Sequence, residues 1–426
     1  MSYNTPKDLR NKVMYQIYVR NFSEKGTFNE VVLQLDRIKA LGVDIIWFAP
    51  IHPIGKRHRK GTLGSPYAIC DYRAVNPEYG TLDDFKNLVS EIHSRGMKCI
   101  IDVVYNHTSP DSVLSKEHPE WFYHKEDGSF GNRVGDWTDI IDLDYSNKEL
   151  WTYQIDTLKM WAETVDGFRC DVAPLVPVDF WLKAREEVEK IRSGCLWLSE
   201  SVDPPFILEM RERGFLAQSD SEIFRAFDIS YDYDIYPFLT GFASGISSLR
   251  SYSEAINRQE YIYPDNYVKL RFLENHDQPR AGFLFPDLKV LKNATAFLYF
   301  QKGMTLIYAG QEYAVSHLPD LFNKDTVKWE PKEGYDLSSL MKTLYEIKKD
   351  PLFTDSTYST TTHNNSIIEA THSRNGRSIT GIFSFEPVKS LVPVNLPDGR
   401  YINKIDGKTV DVLHGYISTD GDPLIL

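Results

Sequence analysis

Met97-Lys98-Cys99-Ile100-Ile101-Asp102-Val103-Val104-Tyr105-Asn106-His107 is the stretch on which the fold turns. An apolar run without polar alternation suits a strand covered on both faces. It follows Leu82 to Arg95, whose apolar residues recur at helical spacing, and it ends in residues that a core does not want. The same unit recurs outward in both directions. Apolar runs lie at Val13 to Val19, Val43 to Ala49, Val165 to Cys170, Cys195 to Leu198, Ala226 to Ile229, Tyr267 to Leu273 and Met304 to Ala309. Helical patterns intervene at Val31 to Leu41, Lys148 to Ala162 and Phe180 to Ile191. Eight strands alternating with helices predict an α/β fold, a (β/α)8 barrel of the TIM type, with an open doubly wound sheet as the alternative.

Two segments break the rhythm. From Thr108 to Asn147 the chain is rich in Asp, Gly, His and aromatic residues without a clean period, which predicts a short insertion after the third strand. From about Asp350 the pattern changes to alternation with turn signals: Ser366 to Thr371, Ser378 to Phe385 and Ser390 to Asn395, then Pro397-Asp398-Gly399, Asp406-Gly407 and Asp420-Gly421. That predicts a C-terminal antiparallel β-sandwich domain. The expected division is a barrel from residues 1–107 and 148–349, an inserted domain at 108–147 and a β domain at 350–426.

Composition narrows the function. The 426 residues carry 48 Lys+Arg against 60 Asp+Glu, a net charge of −12 that disfavours nucleic-acid phosphates and anionic lipid as partners. No window approaches about 18 uninterrupted apolar residues, and Met1 to Asn11 is polar, so a soluble, cytoplasmic chain is expected. Cys70, Cys99, Cys170 and Cys195 lie far apart with no CxxC spacing and read as buried thiols of a reducing compartment. Aromatic residues make up 13% of the chain; such flat faces serve core packing or the stacking of sugar rings.

The strand ends carry the chemistry. The third ends in Asp102 through His107, the fourth in Arg169-Cys170-Asp171, the fifth in Ser199-Glu200 and the seventh in Glu274-Asn275-His276-Asp277. In a barrel all C-terminal strand ends share one rim, so these carboxylates converge. Arg169 and Asp171 are two apart on one strand and point to the same side, which should keep Asp171 ionised, as a nucleophile requires. Glu200 follows the apolar Cys195-Leu196-Trp197-Leu198, which should raise its pKa toward that of a general acid. One carboxyl of each kind is the arrangement of a glycosidase, and Asp277 could stabilise charge developing on a sugar ring.

At these residues the sequence resembles the α-amylase family of glycoside hydrolases. The motifs are Asp102-Val103-Val104-Tyr105-Asn106-His107, Gly167-Phe168-Arg169-Cys170-Asp171-Val172-Ala173, Glu200 after its apolar strand, and Phe272-Leu273-Glu274-Asn275-His276-Asp277. Val13 to Tyr18, Gly64 to Ile69 and Leu306 to Glu312 resemble further family segments. The resemblance implies that Asp171 is the nucleophile of a covalent glycosyl-enzyme, Glu200 the acid and then the base, and Asp277 the transition-state stabiliser. It implies sugar contacts from His107 and His276, an orienting role for Arg169, and stacking by Tyr67; Asp102 and Arg280 are added as substrate-binding candidates. The implied reaction is retaining hydrolysis of α-glucosidic bonds, mainly α-1,4, with the two carboxyls ~5–5.5 Å apart. No cofactor is implied for the chemistry, and the implied partner is an α-glucan or maltooligosaccharide. A glucosyl transferase or isomerase on the same scaffold and a catalytically inactive binding relative are the alternatives, and oligomeric state is left open.

Departures refine this. Where many polymer-cleaving relatives carry a Lys-His pair that binds the leaving side, this chain has Pro174-Leu175, which favours maltooligosaccharides or cyclodextrins over granular starch. Asp171-Val172-Ala173 followed by Asp179-Phe180-Trp181 is similar to the neopullulanase and cyclomaltodextrinase branch, although the first strand begins near Val13, without that branch's N-terminal domain. The resemblance leaves a structural calcium open, with Asn106 and Asp142 or Asp144 as oxygen ligands. The run Lys56-Arg57-His58-Arg59-Lys60 reads as a solvated loop, or as an anion site for a phosphorylated sugar.

Overall fold

The computed structural model describes residues 4–331, 334–387 and 389–426. Residues 1–3 and 332–333 of the expected barrel and 388 of the expected β domain lie outside the described residues. Eight parallel strands close into a barrel in chain order: β1 (Val13–Ile17), β2 (Ile45–Phe48), β3 (Lys98–Val103), β4 (Gly167–Cys170), β5 (Leu196–Ser199), β6 (Ile229–Tyr231), β7 (Lys269–Arg271) and β8 (Met304–Tyr308). Each overlaps one of the eight apolar runs, although β6 begins only at the last residue, Ile229, of the run expected at Ala226 to Ile229, and the closed ring removes the doubly wound alternative. β1, β2 and β8 are buried at every position, as strands lined by helices outside and side chains inside must be.

The connecting helices follow the sequence patterns, with α1 (Leu82–Ser94) and α2 (Lys148–Ala162) close to their expected bounds. Thr81 caps α1 reciprocally with Asp84, which fixes its first turn. The pattern at Val31 to Leu41 is not one helix. Phe28–Val32 and Leu35–Ala40 are separated at Leu33-Gln34, where Leu33 faces solvent and the Gln34 N–H bonds back to the Val31 carbonyl.

The excursion after β3 holds a helical turn (Val113–Glu117) and a two-residue strand pair, His107–Thr108 with Ile141–Asp142. Toward the C-terminus, strands Thr357–His363, Ile367–Arg374, Arg377–Ser384 and Leu424–Ile425 form one antiparallel sheet. Ser390–Pro393, Gly399–Ile402, Thr409–Leu413 and Tyr416–Thr419 form a second. Ile367, Ile382, Val392, Val412 and Ile417 pack together to make the small core between them. The four cysteines are free; Cys99, Cys170 and Cys195 are buried, but Cys70 is half-buried, because it lies in a loop rather than in a strand. No helix among the described residues is long and apolar enough to cross a membrane.

Candidate active site

The rim is assembled by strand register. Asp102 lies directly opposite Arg169 across the β3–β4 ladder. The ladder continues one step beyond each strand: the Asp171 N–H donates to Val103 O (3.0 Å) and the Glu200 N–H to Cys170 O (3.0 Å). Asp171 and Glu200 are therefore held by backbone as firmly as strand residues while standing at the barrel mouth. Gly167 permits this close approach of β4 to β5, since a Cβ there would lie 2.4 Å from the Leu196 carbonyl oxygen.

Arg169 is the hub. It is fully buried, its Nη1 donates to Asp102 Oδ1 and Oδ2 (2.8 and 3.0 Å) and to Asp171 Oδ1 (2.8 Å), and its Nη2 lies 2.9 Å from Glu200 Oε2. Its Nε donates to Tyr231 Oη at 3.3 Å, and the rings of Trp47, Tyr67 and Tyr231 surround it at 5.3–5.6 Å. Three buried carboxylates thus share one guanidinium, a deficit of positive charge that favours protonation. Burial pushes Asp102 and Asp171 up to about 7 and Glu200 up to about 8, with Arg169 pulling each the other way. This corrects the expectation that Arg169 keeps Asp171 low. Desolvation outweighs the ion pair, while the order remains: Glu200 holds its proton to higher pH than Asp171.

Immediately after Asp171 the chain reverses. Val172 sits at φ +34°, ψ +45°, a left-handed conformation that costs a β-branched residue about 1–3 kcal/mol. The strained turn aims the Val172 N–H at Glu200 Oε2 (2.8 Å), so the segment beyond the first carboxyl fixes the second.

A second network runs through β1 and the loop holding Tyr67. Gln16 Nε2 donates to His276 Nδ1 (2.6 Å), which leaves the proton on Nε2, facing Tyr67 Oη (2.6 Å) and Asp277 Oδ2 (3.0 Å). The Tyr67 hydroxyl donates onward to Asp102 Oδ2 at 3.1 Å. Burial lowers His276 and His107 to about 4, so both are neutral at pH 7. His107 Nε2 lies 4.0 Å from Asp171 Oδ2, and the half-buried Trp137 packs 5.5 Å from the His107 ring. The Asp277 side chain is 40% exposed and opens onto solvent.

The structure therefore brings together Asp171, Glu200, Asp277, Tyr67, His107, Arg169 and His276. Two expected substrate contacts are wholly buried among protein partners. Asp102 is wholly buried beneath Arg169 and Tyr67. Arg280 is wholly buried too, its fork turned to Glu274 Oε1 (2.5 Å) and Ala309 O (3.0 Å) and its Nε to His317 O (3.2 Å). Among the aromatics, Trp121 is core, stacked on His118 at 3.7 Å. Gln16, Trp47 and Tyr231 are site residues that residue type and spacing do not single out. Tyr231 stands two residues past the end of the sixth apolar run, and it alternates inward with Ile229.

The oxygen donors expected for calcium do not fit that ion. Both Asp142 oxygens face N–H donors, from Asn106 and Arg133, Asp144 Oδ1 accepts the Ser146 N–H (3.0 Å), and Asp139 pairs with Lys60 (3.2 Å). That Lys60 contact ties the basic loop to the excursion, while Lys56 to Arg59 are exposed.

Paired carboxyls on one rim of a (β/α)8 barrel are the kind of site that glycoside hydrolases use. Residues 16–366 match the α-amylase catalytic domain and residues 359–426 the bacterial α-amylase C-terminal domain. The chain belongs to the α-amylase family of glycoside hydrolases. It is 46% identical to an α-amylase from Lactobacillus plantarum, with a TM-score of 0.95 and 99% of each chain covered. It is 34% identical to the maltogenic α-amylase AmyB from Thermotoga neapolitana, with a TM-score of 0.87 and 98% and 99% covered. The α-amylase MalA of Haloarcula japonica is 27% identical over 322 residues, 73% of this chain; the chain spans only 45% of that enzyme's length.

Proposed function

We propose that the protein hydrolyses α-1,4 bonds of maltooligosaccharides with retention of configuration, through a covalent intermediate on Asp171. The observation that carries this is the seating of Asp171 and Glu200 on the two terminal nitrogens of Arg169, 2.8 and 2.9 Å away, which sets the two carboxyls side by side at the barrel mouth. Asp171 attacks the anomeric carbon while protonated Glu200 gives its proton to the leaving oxygen; ionised Glu200 then takes a proton from the water that displaces Asp171. Asp277, the most exposed of the three, faces the positive charge developing on the ring. His107 and His276, both neutral, bind ring hydroxyls, and Asp102 holds Arg169 and Tyr67 in place. The α-amylase and maltogenic α-amylase similarities support an α-glucan substrate, and Pro174-Leu175 beside the site supports short chains. We assign the barrel to residues 1–107 and 148–349, the insertion to 108–147 and the β domain to 350–426.

Product analysis on maltose, maltotriose, maltohexaose, pullulan and cyclodextrin tests the reading. Glucose and maltose from maltotriose are expected; accumulation of longer oligomers would mean transfer instead.

The pH profile is a second check. Activity needs Asp171 ionised, so kcat/KM rises through about 7, and it needs Glu200 protonated, so kcat/KM falls through about 8. A bell with those limbs is expected, and an alkaline limb that survives in Glu200→Gln would remove Glu200 as the acid.

Trp137, against His107, supplies a flat face at the mouth. Trp137→Ala should raise KM for maltotriose about tenfold, as loss of one stacking contact predicts, with kcat changed less. An unchanged KM would place Trp137 outside the sugar path.

A further inference from the structure

Between the excursion and the barrel lies a cavity of about 220 Å³ lined by Asn106, Arg133, Asp142, Asp144, Leu175 and Met210, among others. This is where the family resemblance puts calcium, and the donors present are wrong for it. A calcium ion needs six to eight oxygens at ~2.3–2.6 Å. Here Asp142 Oδ2 accepts the Arg133 backbone N–H (2.7 Å) and Nη1 (3.3 Å), and Oδ1 faces the Asn106 Nδ2 (3.4 Å). The neighbouring Leu143 carbonyl accepts from the same Nη1 at 3.2 Å. The Asn106 amide presents its nitrogen to the carboxylate rather than its oxygen to an ion.

We infer that Arg133 is the resident cation of this site and, in place of a metal, ties its own loop of the excursion to Asp142, the residue that pairs with His107 at the barrel's edge. The guanidinium has the charge and fork geometry to replace several oxygen-to-metal bonds, and unlike a bound ion it cannot dissociate or deprotonate. Its position is fixed from both sides: the Arg133 guanidinium lies over the Tyr123 ring at 4.7 Å, and Arg213 Nη2 donates to the Arg133 carbonyl at 2.5 Å. A divalent ion would have to enter against this charge. The clip bears on the active site as well. Asp142 is the register partner of His107, and the Leu143 N–H bonds Asn106 O (2.9 Å), so Arg133 holds the strand pair that aims His107 at Asp171. Arg133 is thus a positioning residue, and its assignment does not depend on which glucan is cleaved.

Thermal unfolding of the wild type, Arg133→Gln and Arg133→Lys, each in EDTA and in millimolar CaCl2, tests this with no assay of activity. The wild type should melt at the same temperature in both solutions. Arg133→Gln should melt several degrees lower in EDTA, because buried Asp142 loses its cationic partner and keeps only neutral N–H donors, and should recover part of the loss in calcium, which can now enter. Arg133→Lys should fall between the two without a calcium response. A wild type that loses several degrees in EDTA, or an Arg133→Gln protein no more responsive to calcium than the wild type, would overturn the inference. Should Arg133→Gln fail to fold, calorimetric titration of EDTA-treated wild type with calcium alone decides: no saturable binding supports the clip, and one saturating site refutes it.

Discussion

Asp171→Asn should lower kcat on maltotriose by about 10⁴-fold or more while leaving the fold and melting temperature close to wild type. The amide has the carboxylate's shape and keeps an oxygen for Arg169 Nη1, so packing and register persist. What is lost is the anionic oxygen that bonds to the anomeric carbon; the neutral amide oxygen is a far weaker nucleophile. The substitution also removes one of three negative charges crowded on Arg169, so the proton affinity of Glu200 should drop and any residual alkaline limb should move to lower pH. Full activity in this variant would refute the assignment of the nucleophile. A large loss accompanied by a collapse of melting temperature would mean that the charge had been structural.

The second large effect is at Glu200. Glu200→Ala should cut turnover of maltooligosaccharides by about 10³-fold, because the leaving sugar oxygen departs without a proton and the water that follows has no base. The two losses separate with the right reagents. With α-maltosyl fluoride, whose leaving group needs no proton, the first step should be nearly restored. Added azide should then restore the second, since it attacks the glycosyl-enzyme without a base, and its product should be the α-glycosyl azide, the result of two inversions at the anomeric carbon. Asp171→Asn should show neither rescue. Were azide to give the β-azide, or to rescue nothing in Glu200→Ala, nucleophile and acid could not be Asp171 and Glu200 respectively.

The architecture and the heart of the site are legible in the sequence because both rest on local pattern. Each barrel strand is a short apolar run, and Asp171 and Glu200 stand at the ends of such runs, where parallel register carries them to the same rim. The unreadable parts depend on direction and on non-local path. Asp102 and Arg280 have the right residue types in the right motifs, but nothing in spacing tells that one lies under Arg169 and the other turns to Glu274. Their burial follows from partners on other strands. The proton affinity of Asp171 is hidden for a related reason: Arg169 is visible two residues away, whereas Asp102, which shares Arg169 from 67 positions earlier in the chain, weakens its hold. Arg133 lies in a segment without period, so its meeting with Asp142 belongs to the loop's path alone.

The most direct test of the mechanism is to locate the covalent bond. Glu200→Gln treated with α-maltosyl fluoride should accumulate glycosyl-enzyme, since fluoride leaves unaided and the missing base slows hydrolysis. Mass spectrometry of its peptides should find one maltosyl group on the peptide holding Asp171, on that side chain, and none in Asp171→Asn. A label on another residue, or an unlabelled enzyme releasing the β-anomer, would contradict a covalent intermediate on Asp171.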